Sequence, residues 1–144
     1  MSDPLYAKDL LRLAATATGA GRLAAFDAEG SAHNPSCGDK IAVTLRLDGA
    51  GRIIEIAHET SACVLAQASA ALLGAHLEGA DESSIRNLRS DVGAMLREGE
   101  GNVPAPPFSG YAALNGAAPY RNRHTCVLLP IDAVLNALES RTAA

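Results

Sequence analysis

Apolar residues along this chain fall into two periods. Ile41, Val43, Leu45 and Leu47 alternate with Ala42, Thr44, Arg46 and Asp48. A period of two marks a strand with one face buried. Asp48-Gly49-Ala50-Gly51 then supplies turn chemistry. Ile54, Ile56 and His58 alternate with Ile53, Glu55 and Ala57, which predicts a second strand and an antiparallel hairpin. Strand formers stop at Thr60-Ser61. An alanine-rich helix is predicted to begin there and to run to about Gly79. Asp81 is placed to cap a further helix, whose apolar positions Ile85, Leu88, Val92 and Met95 keep helical spacing.

The ends of the chain read less directly. Asp3-Pro4 has the form of an N-cap followed by proline at the first helical position. Tyr6, Leu10, Leu13 and Ala17 follow at spacings of four, three and four, one face of a helix that Gly19 and Gly21 end. Arg22 to Ala28 is predicted as a strand. Gly99 to Gly110 is rich in Gly and Pro and reads as a loop. Arg121 to Thr125 is predicted to be extended. A last helix includes Ala133, Val134 and Leu138, with Pro130 tolerable in its first turn. No internal repeat or second domain is visible. The expectation is one α+β domain over residues 1–144, a small antiparallel β-sheet packed against several α-helices.

Composition narrows the function. Hydrophobic residues make up 48% of the 144, but only two Phe and three Tyr are present and there is no Trp. The core is therefore aliphatic, and base stacking on aromatic side chains is excluded as a main mode of binding. A net charge of −4 argues against a phosphate-binding surface. No nucleic-acid partner is expected. Met1-Ser2-Asp3-Pro4 lacks a basic segment leading into an apolar run, and no stretch is long and apolar enough to span a membrane. The expected location is the cytoplasm. Three cysteines in a reducing compartment make a disulfide framework improbable and give weight to metal or thiol chemistry.

Each cysteine falls at a predicted element boundary. Cys37 lies in the loop Asn34-Pro35-Ser36-Cys37-Gly38-Asp39-Lys40, Cys63 at the start of the alanine-rich helix, and Cys126 between the extended stretch and the last helix. A helix N-terminus carries partial positive charge and unpaired N–H groups, so a thiolate is favoured there and the thiol pKa falls. Cys63 is expected to feel this most. Gly38 permits a tight turn that aims Cys37 and Asp39 at one point. Taken singly, each cysteine is equally well read as a small buried hydrophobe, and Asp39 as a turn residue. The cysteines are 26 and 63 residues apart, which matches no zinc-finger spacing. The residues alone reach a possible three-cysteine site and stop there.

A family resemblance joins them. Asn34-Pro35-Ser36-Cys37-Gly38-Asp39 resembles the Asn-Pro-x-Cys-Gly-Asp signature of the IscU, SufU and NifU N-terminal group. Cys63-Val64-Leu65-Ala66-Gln67-Ala68-Ser69-Ala70 resembles that group's cysteine followed by an Ala-Ser-rich helix. Arg123-His124-Thr125-Cys126-Val127-Leu128-Leu129 resembles its third-cysteine region. The resemblance implies a SufE/NifU-like fold in which Cys37, Asp39, Cys63 and Cys126 surround one site. There a [2Fe–2S] cluster is built from iron and from sulfur delivered by a cysteine desulfurase, then passed to acceptor apo-proteins or cluster carriers. In the SufU branch the same four positions hold zinc, and the protein accepts persulfide sulfur, with Cys37 the implied acceptor. Thiolates suit either metal, and the aspartate adds a harder oxygen donor.

The departures from the family pattern point toward SufU. The long interval between Cys63 and Cys126 resembles that branch, with residues 81–99 as an inserted helix. The Leu-Pro-Pro-Val-Lys chaperone segment of IscU is absent, so its Hsp70 partner is not expected. The N-terminal Asn-Pro-Arg-Asn element is absent too, which bears on desulfurase docking. Thr125 stands where the family often has His. An extended strand would turn His124 and Cys126 to the same side, making His124 a support or an occasional ligand. Arg123 stands three before the cysteine, as in SufU-like proteins, placed to attract a thiolate or persulfide. His33, His58 and His76 read as structural or surface residues. Three functions compete: a non-enzymatic iron–sulfur scaffold, a zinc-dependent sulfurtransferase, and a binding module with structural zinc.

Overall fold

The computed structural model describes residues 8–35, 38–98 and 103–143. Its elements run α1 (Lys8–Thr16), β1 (Ala28–Asn34), β2 (Asp39–Leu47), β3 (Ile53–Ser61), α2 (Val64–His76), α3 (Glu82–Glu98), a 3-10 helix (Ser109–Ala117) and α4 (Arg121–Ala143). The three strands form one antiparallel sheet in the order β1-β2-β3. The predicted α+β class, the hairpin and the α2 and α3 helices are all present. The proposed cap at Asp3-Pro4 and the position of Tyr6 lie outside the described residues.

Sheet register explains which strand residues are buried. Val43 pairs with His58 and Leu45 with Ile56, so these share the inner face. The register shifts between Arg46 and Leu47, where Leu47 pairs with Ile53. One residue of slip exchanges faces. Ile53 is therefore fully buried, whereas Ile54 is 36% exposed.

The strand predicted at Arg22–Ala28 is not there; β1 begins where it was to end. Arg22 to Asp27 is irregular, and the chain satisfies its backbone locally. The Leu23 amide donates to the Thr44 hydroxyl at 3.1 Å, and the Asp27 carboxylate accepts from the Leu47 amide at 2.8 Å. Arg22 lies 4.9 Å from the Phe26 ring centre and pairs with Glu29. The true strand escaped the hydrophobic pattern because its inward positions, Ala28, Gly30 and Ala32, are small. They are small because α4 lies directly on them. A Cβ on Gly30 would stand 2.3 Å from the Ala137 backbone nitrogen.

α4 is the second correction. Arg121–Thr125 is helical, and Pro130 stands well inside the helix. The first turn is polar because it faces solvent, which hides its period. An interior proline costs about 3 kcal/mol, a cost that burial of Val127, Leu129, Ile131, Val134 and Leu138 offsets. The segment predicted as a loop to Gly110 enters the 3-10 helix at Ser109. α2 ends at His76, before Gly79, whose φ of +90° suits only glycine well. Nearly every residue of α2 from Leu65 to Leu73 is buried, so it is the central helix, with α1, α4 and β3 around it.

His58, read as structural, ties the α1–β1 connection to the core. It is 4% exposed. Its Nε2–H donates to the Thr18 carbonyl at 2.9 Å, and its Nδ1 accepts from the Thr60 hydroxyl at 2.8 Å. The backbone adds His58 N–H to Gly19 O at 2.9 Å and Gly21 N–H to His58 O at 2.8 Å. Burial lowers its pKa, partly opposed by the bond to Thr18. The small cavity at its ring is lined by Ala14, Ala17, Ala20, Thr60 and Gln67, none of them charged.

Two outcomes follow for stability. Gly30→Ala should lose about 2–3 kcal/mol in urea unfolding, while Gly49→Ala, with open space at its Cβ, should lose little. For His58 the folded pKa lies below the unfolded 6.5, so the folded state binds fewer protons. Its contribution is complete above pH 6.5 and declines as pH falls from there toward the folded pKa. His58→Gln should flatten that part of a stability–pH curve.

Candidate metal centre

One end of the sheet gathers three chain segments. The β1–β2 hairpin turns there, β3 leads into α2 there, and the second turn of α4 passes over both. In the hairpin, Asn34 pairs with Asp39, the Gly38 amide donates to the Asn34 carbonyl at 2.9 Å, and Gly38 has φ +77°. Gly38 thus has the left-handed backbone that the sequence assigned to it. Cys37 lies outside the described residues.

Asp39, Cys63 and Cys126 come together. Their candidate ligand atoms all lie within 4.8 Å of one another. Asp39 is only 7% exposed and Cys126 1%, while Cys63 is half-buried. Asp39 opens β2 and faces inward. Its Oδ1 accepts the Cys63 amide at 3.1 Å, which fixes the N-terminus of α2 to the sheet. Gln67, one turn on, donates to the Ala62 carbonyl at 2.8 Å and holds the residue before Cys63. The sequence offered no signal for Gln67 beyond its place in an alanine-rich helix. Oδ2 of Asp39 is buried and has no hydrogen-bond partner among the described residues. A buried carboxylate oxygen left without a partner is costly. Facing two thiols, it completes a donor set of sulfur and oxygen that fits a thiophilic cation or an iron–sulfur cluster.

Electrostatics correct one expectation. Cys63 does occupy the N-cap of α2, with the Ala66 amide near its sulfur, yet its pKa is raised, not lowered. Burial is the largest cause. The Ala66 amide opposes it, the Asp39 carboxylate adds to it, and Cys126 opposes it. Burial of the thiol outweighs the helix end, and the neighbouring carboxylate adds to the shift. A cation among these groups would reverse the balance, since thiols ligate as thiolates and binding releases their protons.

The third-cysteine region also differs from expectation. Cys126 is the sixth residue of α4, not a residue before it. On a helix, residues two apart point in nearly opposite directions, and those three apart share a face. His124 thus turns away from Cys126, and its Nε2 meets the Ala118 carbonyl at 2.9 Å. Arg123 lies one turn before Cys126 on the same face and is half-buried. His33 and His76 stand apart from the centre, the latter edge-on to Phe108 at 6.4 Å.

Residues 5–127 match the family described as NifU-like N terminal domain. The chain belongs to this family. No curated protein sequence matches it. Among solved structures, a NifU-like protein (N-terminal) from Brucella abortus aligns with a TM-score of 0.89 and 30% identity, covering 98% of this chain and 96% of that one. A protein from Fervidobacterium islandicum AW-1, described as a putative iron–sulfur cluster assembly scaffold for the SUF system, aligns at 0.80 and 21%, covering 96% and 99%. The second likeness establishes the fold. Membership makes the chain one of the NifU-like iron–sulfur assembly scaffold family. Among the described residues no helix is long and apolar enough to cross a membrane.

The raised Cys63 pKa is open to test by alkylation of the metal-free protein, mapped by mass spectrometry. Cys63 should react more slowly than a free thiol at pH 8. Asp39→Asn keeps the acceptor for the Cys63 amide but removes the charge, so it should speed that reaction.

Proposed function

We propose that this NifU-like domain is an assembly scaffold that holds a nascent [2Fe–2S] cluster as cargo. The ligands in this reading are Cys37, Asp39, Cys63 and Cys126. The supporting observation is the Oδ2 of Asp39, buried against two thiols with no hydrogen-bond partner among the described residues. Cys63 and Cys126 stand on helices and give firm attachment points. Cys37 precedes Asp39 by two residues in the sequence and supplies the third thiolate of this reading. Asp39 is the harder and weaker donor toward iron, which favours release to an acceptor apo-protein or cluster carrier. Arg123 is placed to draw an anionic sulfur species toward Cys126. The sulfur source is a cysteine desulfurase, and the site of action is the cytoplasm.

A second reading is favoured by α3, the helix that resembles the SufU insertion. Here zinc would be held by the same side chains. Cys37 would take persulfide sulfur from the desulfurase, leaving Cys63, Cys126 and Asp39 as the retained ligands.

Purification without oxygen, metal analysis and addition of a cysteine desulfurase with cysteine, ferrous iron and a thiol reductant separate these readings. A scaffold should develop a cluster spectrum. Cys63→Ser should abolish it, and Asp39→Ala should slow transfer to an acceptor. A sulfurtransferase should instead retain tight zinc and stimulate desulfurase turnover, with Cys37→Ser inactive but folded. Bound zinc with neither activity, and unfolding on chelation, would leave only a structural metal.

A further inference from the structure

Two separate helices bring the buried thiols together, Cys63 at the N-cap of α2 and Cys126 in the second turn of α4. Aliphatic packing between α2 and α4 is non-directional and permits small slides. A hydrogen bond permits far less. Ser69, six residues beyond Cys63 on α2, is fully buried, and its hydroxyl donates to the carbonyl of Val127 at 2.8 Å. Val127 is the residue after Cys126. Because Ser69 has one hydroxyl proton and spends it on Val127, the Tyr111 hydroxyl must be the donor in the 2.8 Å contact between Tyr111 and Ser69. Tyr111 is also fully buried.

The α4 turn that receives Ser69 is unusual. Pro130 has no N–H, so it offers no helical donor to the Cys126 carbonyl, and its ring crowds that turn. Ser69 also stands among alanines, at 66, 68, 70 and 71, where another alanine would fit the pattern. A polar network in an aliphatic core is costly unless every member is placed, and once placed it specifies one arrangement.

We propose that Ser69, supported by Tyr111, is a positioning residue of the metal centre: its bond to Val127 sets α2 against α4 so that Cys63 and Cys126 span one metal. This rests on reading Asp39, Cys63 and Cys126 as ligands. A change at Ser69 alters the thiol spacing without touching a ligand.

Cobalt(II) is the probe, because its sulfur charge-transfer and ligand-field bands report thiolate ligation and geometry. Ser69→Ala should stay folded, weaken cobalt affinity by about tenfold or more, and shift those bands. Tyr111→Phe should move both in the same direction by less. Ile53→Val, at the far end of the sheet from Asp39, serves as a stability control and should leave both as in the parent. A second readout needs no metal. In a glutathione redox buffer, Cys63 and Cys126 reduce one glutathione disulfide to two glutathiones as they pair, and the paired fraction reports their proximity. Ser69→Ala should lower the effective concentration of the pair by about tenfold. If the parent bound no cobalt while Ser69→Ala still shifted this equilibrium, the metal-centre reading would fall and the positioning role would stand. If Ser69→Ala lowered the melting temperature but left the cobalt spectrum, the affinity and the thiol pairing unchanged, Ser69 would be a packing residue and the proposal would fail.

Discussion

The carboxylate of Asp39 joins the three parts of the molecule that matter most. One oxygen accepts the Cys63 amide and pins the start of the central helix to the first residue of β2. The other is buried beside two thiols without a hydrogen-bond partner among the described residues. The first contact is structural and present in the metal-free chain. The second is a deficit, and it has a natural remedy in a cation. Burial, with the same carboxylate adding to it, raises the Cys63 pKa, so the thiol is favoured over bare thiolate there.

That arrangement depends on how closely the layers approach. α4 reaches the sheet because Gly30 leaves room for the Ala137 backbone, and α2 reaches the α1–β1 connection because Gly74 leaves room for the Thr18 carbonyl. Side chains at either position would hold the helices away. The core is aliphatic and slides easily in principle, so its few polar contacts have large influence. His58 fixes one side of α2, and the chain of Tyr111, Ser69 and Val127 fixes the other. Ion pairs at the surface, Arg86 with Glu139 and Arg89 with Asp132, link α3 to α4 but lie in solvent and contribute little each.

Membership of the NifU-like family adds a functional frame to this geometry. Three segments converge at one end of the sheet and bring together Asp39 at a strand start, Cys63 at a helix N-cap and Cys126 in a helix interior. Cys126 lies buried inside α4, and Pro130 in the next turn has no N–H to offer its carbonyl.

Much of this was legible in the chain alone. Period-two and helical patterns located β2, β3, α2 and α3, because each buries one face or more of large aliphatic residues. The Asn-Pro-x-Cys-Gly-Asp motif and the other two cysteines named the candidate ligands. Tertiary structure alone decided the rest. β1 was invisible because the helix lying on it demands small residues, which erases the hydrophobic alternation. The first turns of α4 were invisible because they face solvent, and Pro130 looked like a helix start. The direction of the Cys63 shift reversed because burial and Asp39 are long-range effects, whereas the helix N-terminus that the sequence reveals is local. Sequence determined which residues bear the chemistry. Packing determined which of them meet, how far apart they stand and in which direction the Cys63 pKa moves.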